Sequence, residues 1–130
     1  MITMQELHDK IKGPFYFATV ENGEPRVRPF GFSMMFEDKI YFGVGTHKAA
    51  YAQLLENPNC ELCTFKNGSF IRVRGKALFD DRPEVQAYMF EQSPGLKKTY
   101  NEETGHYHIC FYLDDLSAME FVGPEAIKLI

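Results

Sequence analysis

Thr46-His47-Lys48 sets a hydroxyl, an imidazole and an ammonium group side by side, groups suited to holding an anion. It follows an apolar run, Ile40-Tyr41-Phe42-Gly43-Val44-Gly45, and precedes Ala49-Ala50-Tyr51-Ala52-Gln53-Leu54-Leu55. That order reads as a strand ending in glycines and a helix opened on a hydroxyl, an imidazole and an ammonium group. A helix start carries unpaired N–H groups and the positive end of its dipole, so it suits phosphate and ordinarily disfavours basic side chains. Two basic residues in a first turn make electrostatic sense when an anion sits with them. Arg26 and Arg28 lie on the preceding run, Pro25-Arg26-Val27-Arg28-Pro29-Phe30-Gly31. Strand alternation places both off the core face, with Val27 between them. Arg72 and Arg74 repeat that arrangement against Ile71 and Val73. The phosphate of a planar cofactor is the anion this combination suits, which points to flavin chemistry.

Other reactive residues carry less. Cys60 and Cys63 spell C-x-x-C, but on a strand residues three apart face opposite ways, so their sulfurs should stay apart as buried thiols. With Cys110 the set is odd in number and gives no disulfide framework. His106 and His108 share one face of a strand that Cys110 extends, yet no third ligand has convincing spacing, so no metal site is expected. This rim could instead border the substrate side of a flavin. Ser93-Pro94-Gly95-Leu96-Lys97-Lys98-Thr99-Tyr100 reads as a loop able to carry specificity.

These groups need a scaffold, and 130 residues suit one domain, 1–130. Net charge is −4 with no Lys/Arg run, which argues against nucleic acid as a partner. No segment has the length of a membrane span and the N-terminus lacks a signal-peptide pattern, so a cytoplasmic protein is expected. Twelve Phe and seven Tyr favour strands. Thr3-Met4-Gln5-Glu6 is a capping box that opens a helix over about 3–12. Strands follow at Phe15–Val20, Pro25–Met35 and Lys39–Val44, with Asn22-Gly23 and Glu37-Asp38 as tight turns. A helix starting near Thr46 ends at Asn57-Pro58. Strands Cys60–Phe65 and Ser69–Phe79 turn at Asn67-Gly68. A helix opened by Pro83 breaks at Ser93-Pro94-Gly95, and final strands run His106–Leu113 and Ala118–Val122. The fold class is mainly β with flanking helices, a small barrel of six to seven antiparallel strands.

In this order the motifs resemble the pyridoxamine 5′-phosphate oxidase-like family of FMN-binding split β-barrels. The resemblance spans roughly residues 15–80: the opening hairpin, then Ile40-Tyr41-Phe42 with Thr46-His47-Lys48 and a helix closing on Glu56-Asn57-Pro58, then Ile71-Arg72-Val73-Arg74-Gly75-Lys76-Ala77. It implies a homodimer with FMN in grooves at the subunit interface. By resemblance, Arg28 or Arg26 with Thr46, His47 and Lys48 would hold the phosphate. Pro29, Phe30 and Gly31, with Tyr41 or Phe42, would border the isoalloxazine ring. His47 stands where arginine is usual. Nothing in Gly123-Pro124-Glu125-Ala126-Ile127-Lys128-Leu129 matches the substrate motif of true pyridoxine phosphate oxidases. Relatives that reduce nitroimidazoles carry a His-Gly-Ala-type turn where this chain has Gly43-Val44-Gly45. The implied activity is FMN-dependent reduction of a small acceptor such as a flavin, quinone or nitro compound. The alternatives are a non-catalytic flavin carrier or a barrel that holds haem or a deazaflavin.

Overall fold

Alternation of apolar and polar residues in short runs separated by Asn-Gly and acidic turns leaves the chain few choices but antiparallel pairing. The computed structural model describes residues 1–130. Eight strands and three helices follow in the order α1 (Met4–Ile11), β1 (Phe15–Glu21), β2 (Glu24–Phe30), β3 (Ser33–Phe36), β4 (Lys39–Gly45), α2 (Ala49–Glu56), β5 (Asn59–Lys66), β6 (Ser69–Asp80), α3 (Pro83–Gln92), β7 (His108–Val122) and β8 (Glu125–Lys128). A short 3₁₀ helix, Pro94–Lys98, follows α3.

The strands form one sheet in the order β2-β1-β5-β6-β7-β4-β3, with β8 paired to β7. The path does not close. Its two ends, β2 and β3, are nevertheless joined through only Gly31 and Phe32, so the sheet curls until its edges approach: a split barrel. The single strand expected over Pro25–Met35 is thus two strands belonging to opposite edges. Conversely, the two strands expected at the C-terminal end are one, because β7 continues through Asp114-Asp115-Leu116 while pairing with β6 beside a bulge between Arg74 and Lys76. Strand β8 was absent from the sequence reading, since its four residues are all exposed and show no alternation.

Asn22 and Gly23 have φ of 51° and 77°, and Asn67 and Gly68 51° and 79°, as two-residue hairpin turns require. Thr3 caps α1 through Glu6, and the helix buries Leu7 and Ile11 completely. Inside the barrel Phe15, Phe17, Phe42, Leu62, Val73 and Phe111 are almost fully buried. A second, smaller core lies outside β4 and β7, where α3 lays Val85 and Met89 on Met34, Tyr41 and Cys110. These two cores leave β4 covered on both faces. At its glycines, rings from His108 and Tyr100 lie against the bare backbone.

Candidate functional site

A cleft of about 790 Å³ opens at the seam between the sheet edges. One wall is the chain from Arg28 through Pro29, Phe30, Gly31 and Phe32 to Ser33, and the floor is Gly43–Gly45 of β4. Lys48, Ala49 and Ala50 close one end, while Gln92, Ser93, Leu96, Tyr100 and His108 form the facing wall. The volume suits a cofactor-sized ligand. No acidic side chain lines it, although Asp and Glu outnumber Lys and Arg in the chain by 18 to 14.

Arg28 reaches the cleft by a route opposite to the one expected. Phe17 pairs with Arg28 and Thr19 with Arg26, so the arginines share the inward face of β1, and Val27 is 68% exposed on the outer face. At a sheet edge the inner face is open at its rim, which lets a guanidinium enter. Arg28 donates to Phe17 O at 3.2 Å, Thr19 Oγ1 at 2.8 Å and Gln53 Oε1 at 2.7 Å. All three acceptors are neutral. Burial lowers the Arg28 pKa, and only Glu21 opposes this, so the charge stays incompletely compensated. Arg26, by contrast, pairs with Glu21 at 3.2 Å and Glu24 at 3.4 Å and does not line the cleft.

The Thr46-His47-Lys48 set divides. Helix α2 begins at Ala49, so Lys48 is the N-cap and the other two residues precede the helix. No side chain caps this end, and its orphan N–H groups at Ala49 and Ala50 border the cleft with Lys48. Thr46 and His47 do not line it. The Thr46 N–H donates to Tyr107 O at 2.8 Å, and the His47 ring stacks on His106 at 3.8 Å. Burial, His106 and Lys48 lower the His47 pKa, which favours the neutral imidazole. Tyr41 and Phe42 are core residues. Phe42 packs on Phe15 and Phe111, and the Tyr41 hydroxyl donates to Asp80 Oδ2 at 2.6 Å.

The facing wall was missed by sequence reasoning except as a candidate loop and a histidine pair. The signal that could have found it is Gly43-x-Gly45 inside a strand, a mark of close approach by another group. A Cβ at Gly43 would lie 2.1 Å from His108 Cε1, and one at Gly45 2.7 Å from the Tyr100 hydroxyl. The two rings lie directly on bare backbone. Burial pushes the His108 pKa down to about 4, so its imidazole is neutral at pH 7. His106 and His108 do not share a ligand: one stacks on His47, the other meets Met89. Cys60 is buried and Cys63 lies on the other face of β5, both as free thiols.

An incompletely paired guanidinium, an ammonium group and an uncapped helix start meet in a cleft without acids, and this donor set fits an anionic cofactor. The open, curled sheet places the chain among the split barrels, and comparison with known proteins assigns it a family within them. The family model for pyridoxamine 5′-phosphate oxidase matches residues 5–106. A NimC/NimA family protein from Clostridium acetobutylicum superposes with a TM-score of 0.85 at 32% identity, over 97% of this chain and 93% of that one. The chain therefore belongs to the pyridoxamine 5′-phosphate oxidase-like family. Two more distant structures share the fold. One is a pyridoxamine 5′-phosphate oxidase-related, FMN-binding protein from Nostoc punctiforme, with a TM-score of 0.63, 20% identity and coverage of 87% of this chain and 76% of that one. The other is a haem-binding protein from Mycobacterium smegmatis, with a TM-score of 0.70, 11% identity and coverage of 92% and 53%. None of the curated proteins matches the sequence.

Proposed function

We propose that the seam cleft binds FMN and that the protein is an FMN-dependent oxidoreductase acting on a small acceptor: a flavin, a quinone or a nitro compound. The observation that carries this reading is the pairing of Arg28 and Lys48 with the uncapped start of α2 in a cleft that lacks carboxylates. Lys48 and the α2 amides would hold the phosphate. Arg28 adds charge from the β2 side, and Pro29, Phe30 and Gly31 offer apolar surface and open backbone beside a planar ring. FMN supplies the hydride and electron chemistry when bound, and the protein supplies position and electrostatics. The facing wall, with neutral His108 and the Tyr100 ring, leaves room for the acceptor.

The same reading includes a homodimer. Tyr16, Val27 and Phe65 are 63%, 68% and 71% exposed on the outer sheet face, an apolar surface of the kind that a second copy covers. Three free cysteines fit a reducing compartment, which supports a cytoplasmic location.

The test is the visible spectrum of the purified protein before and after FMN is added. Bound oxidised flavin gives bands near ~370 and ~450 nm, and bleaching by a reduced nicotinamide with turnover of an acceptor separates an enzyme from a flavin carrier. A band near ~410 nm would replace flavin with haem. A spectrum that FMN leaves unchanged would overturn the reading. Lys48→Ala should weaken FMN binding about tenfold or more, since a charge-assisted contact contributes about 1.5–3 kcal/mol. Titration followed by flavin fluorescence measures it.

A further inference from the structure

Behind the His108 ring lie two sulfurs that the flavin reading does not use. Helix α3 and strand β7 bring three donors together there: His108 Nδ1 is 2.7 Å from Met89 Sδ, and Cys110 Sγ is 3.5 Å from the same sulfur. Met89 and Cys110 are completely buried, while His108 also lines the cleft. No group of three His, Cys or acidic side chains converges anywhere in the structure, so harder cations find no comparable set.

We propose that His108, Met89 and Cys110 form a binding site for a soft monovalent metal ion, Cu(I), in three-coordinate geometry. Thioether and thiolate sulfur select Cu(I) over magnesium, calcium and manganese, and an imidazole completes a set that copper accepts. Three ligands about 2.0–2.3 Å from a metal lie roughly 3.5–4 Å apart in a trigonal plane, a range set by the zinc–ligand lengths. The sulfur pair already has that spacing, and the His108–Met89 pair must open by about 1 Å. Methionine, unbranched with three rotatable bonds, is the side chain best able to supply this movement.

The surroundings support the site in two ways. The Cys110 N–H donates to Gln86 Oε1 at 3.3 Å, which ties the thiol-bearing strand to the helix that carries Met89. Gly43 lets the imidazole lean on β4, because any side chain there would occupy the ring's position. His108 lines the cleft and touches Met89, so it stands between the cleft and the buried sulfurs. On binding, Cys110 loses its proton to solvent and no electron changes hands.

The experiment is an anaerobic Cu(I) titration of the apo-protein against a chromogenic Cu(I) chelator. Cys60→Ala/Cys63→Ala serves as the reference protein, so that only Cys110 can supply thiolate. The expected result is one Cu(I) per chain, held in competition with the chelator and accompanied by thiolate-to-copper absorption in the near ultraviolet. Cys110→Ala in that background should weaken binding by more than the ten- to hundredfold that loss of a mere supporting partner costs, and abolish the absorption. Met89→Leu, close in volume, should weaken binding while leaving the melting temperature within a few degrees. Absence of competition with the chelator in the reference protein would overturn the proposal. So would affinity unchanged in both Cys110→Ala and Met89→Leu. Because the readout is copper in apo-protein, neither result depends on whether FMN binds.

Discussion

Arg28 shows how one side chain can serve structure and site together. Its guanidinium satisfies Thr19 Oγ1 and Gln53 Oε1, two groups in the buried polar layer beneath α2, and its net charge still faces the cleft. Arg28→Ala would remove the charge and also leave Thr19 Oγ1 without a donor and Gln53 Oε1 with only the Thr19 hydroxyl, at a cost of about 1–3 kcal/mol in stability. Arg28→Ala should therefore lower both the melting temperature and FMN affinity, whereas Lys48→Ala should lower only affinity. Calorimetry beside a binding titration separates the two. Gly43 is the second revealing residue. Gly43→Ala would drive a methyl group into the His108 ring, so we expect a loss of about 1–3 kcal/mol, typical of overpacking, and a displaced imidazole. A thermal melt gives the first, and an altered His108 resonance by NMR the second.

At the scale of elements, the facing wall of the cleft depends on how α3 is anchored. Its N-terminal approach is held by Asp80, which accepts from Tyr41 at 2.6 Å and from Arg82 Nε and Nη2 at 3.0 Å each. Arg82 also bonds Glu37 in the β3–β4 turn, where Glu37 and Asp38 both take positive φ, at 50° and 59°. Non-glycine residues in that region carry strain, and the ion pair helps hold the turn in it. Arg82 and Tyr41 hold the Asp80 carboxyl at a pKa of about 2, below its ordinary 3.8. The folded state thus favours the ionised form, so this stabilisation is complete above pH 3.8 and disappears as pH falls through about 2. The difference in melting temperature between wild type and Asp80→Asn should be greatest near neutrality and shrink progressively below pH 4. A difference that stays constant with pH would show that ionisation of Asp80 does not stabilise the fold.

For the whole molecule, the open question is what covers the outer sheet face. Tyr16 sits between Pro29 and Cys63 in register, and Phe65 continues through Phe70 to Phe121, so aromatic side chains run across four strands on the side away from the core. Arg72 lies over the Phe121 ring at 4.6 Å on that face, and Arg74 donates to Ser117 Oγ at 3.3 Å. If a second copy covers this surface, Val27→Glu should convert dimer to monomer in light scattering at micromolar concentration. Its stability as a monomer should change little, because Val27 is largely exposed in the single chain. A wild-type monomer under the same conditions would reject the dimer.

Much of this protein was legible in its sequence because the relevant signals are local. Hairpins marked by Asn22-Gly23 and Asn67-Gly68, the Thr3–Glu6 capping box, Pro83 opening α3 and the opposite faces of Cys60 and Cys63 each follow from a few neighbouring residues. Arg28 and Lys48, grouped in the sequence reading, do line one cleft. What the sequence could not decide is which sheet edge each residue occupies. Strand alternation says that Arg26 and Arg28 share a face but not which face is inward, and at an edge strand the charged face can turn in while Val27 turns out. Alternation is likewise silent on whether Asp114-Asp115 turns the chain or lets it run on, since that depends on the partners β6 and β4 offer to β7. The cleft itself depends on His108 and Tyr100 arriving over Gly43 and Gly45 from more than fifty residues away along the chain. Contacts at that separation exist only once the barrel has curled.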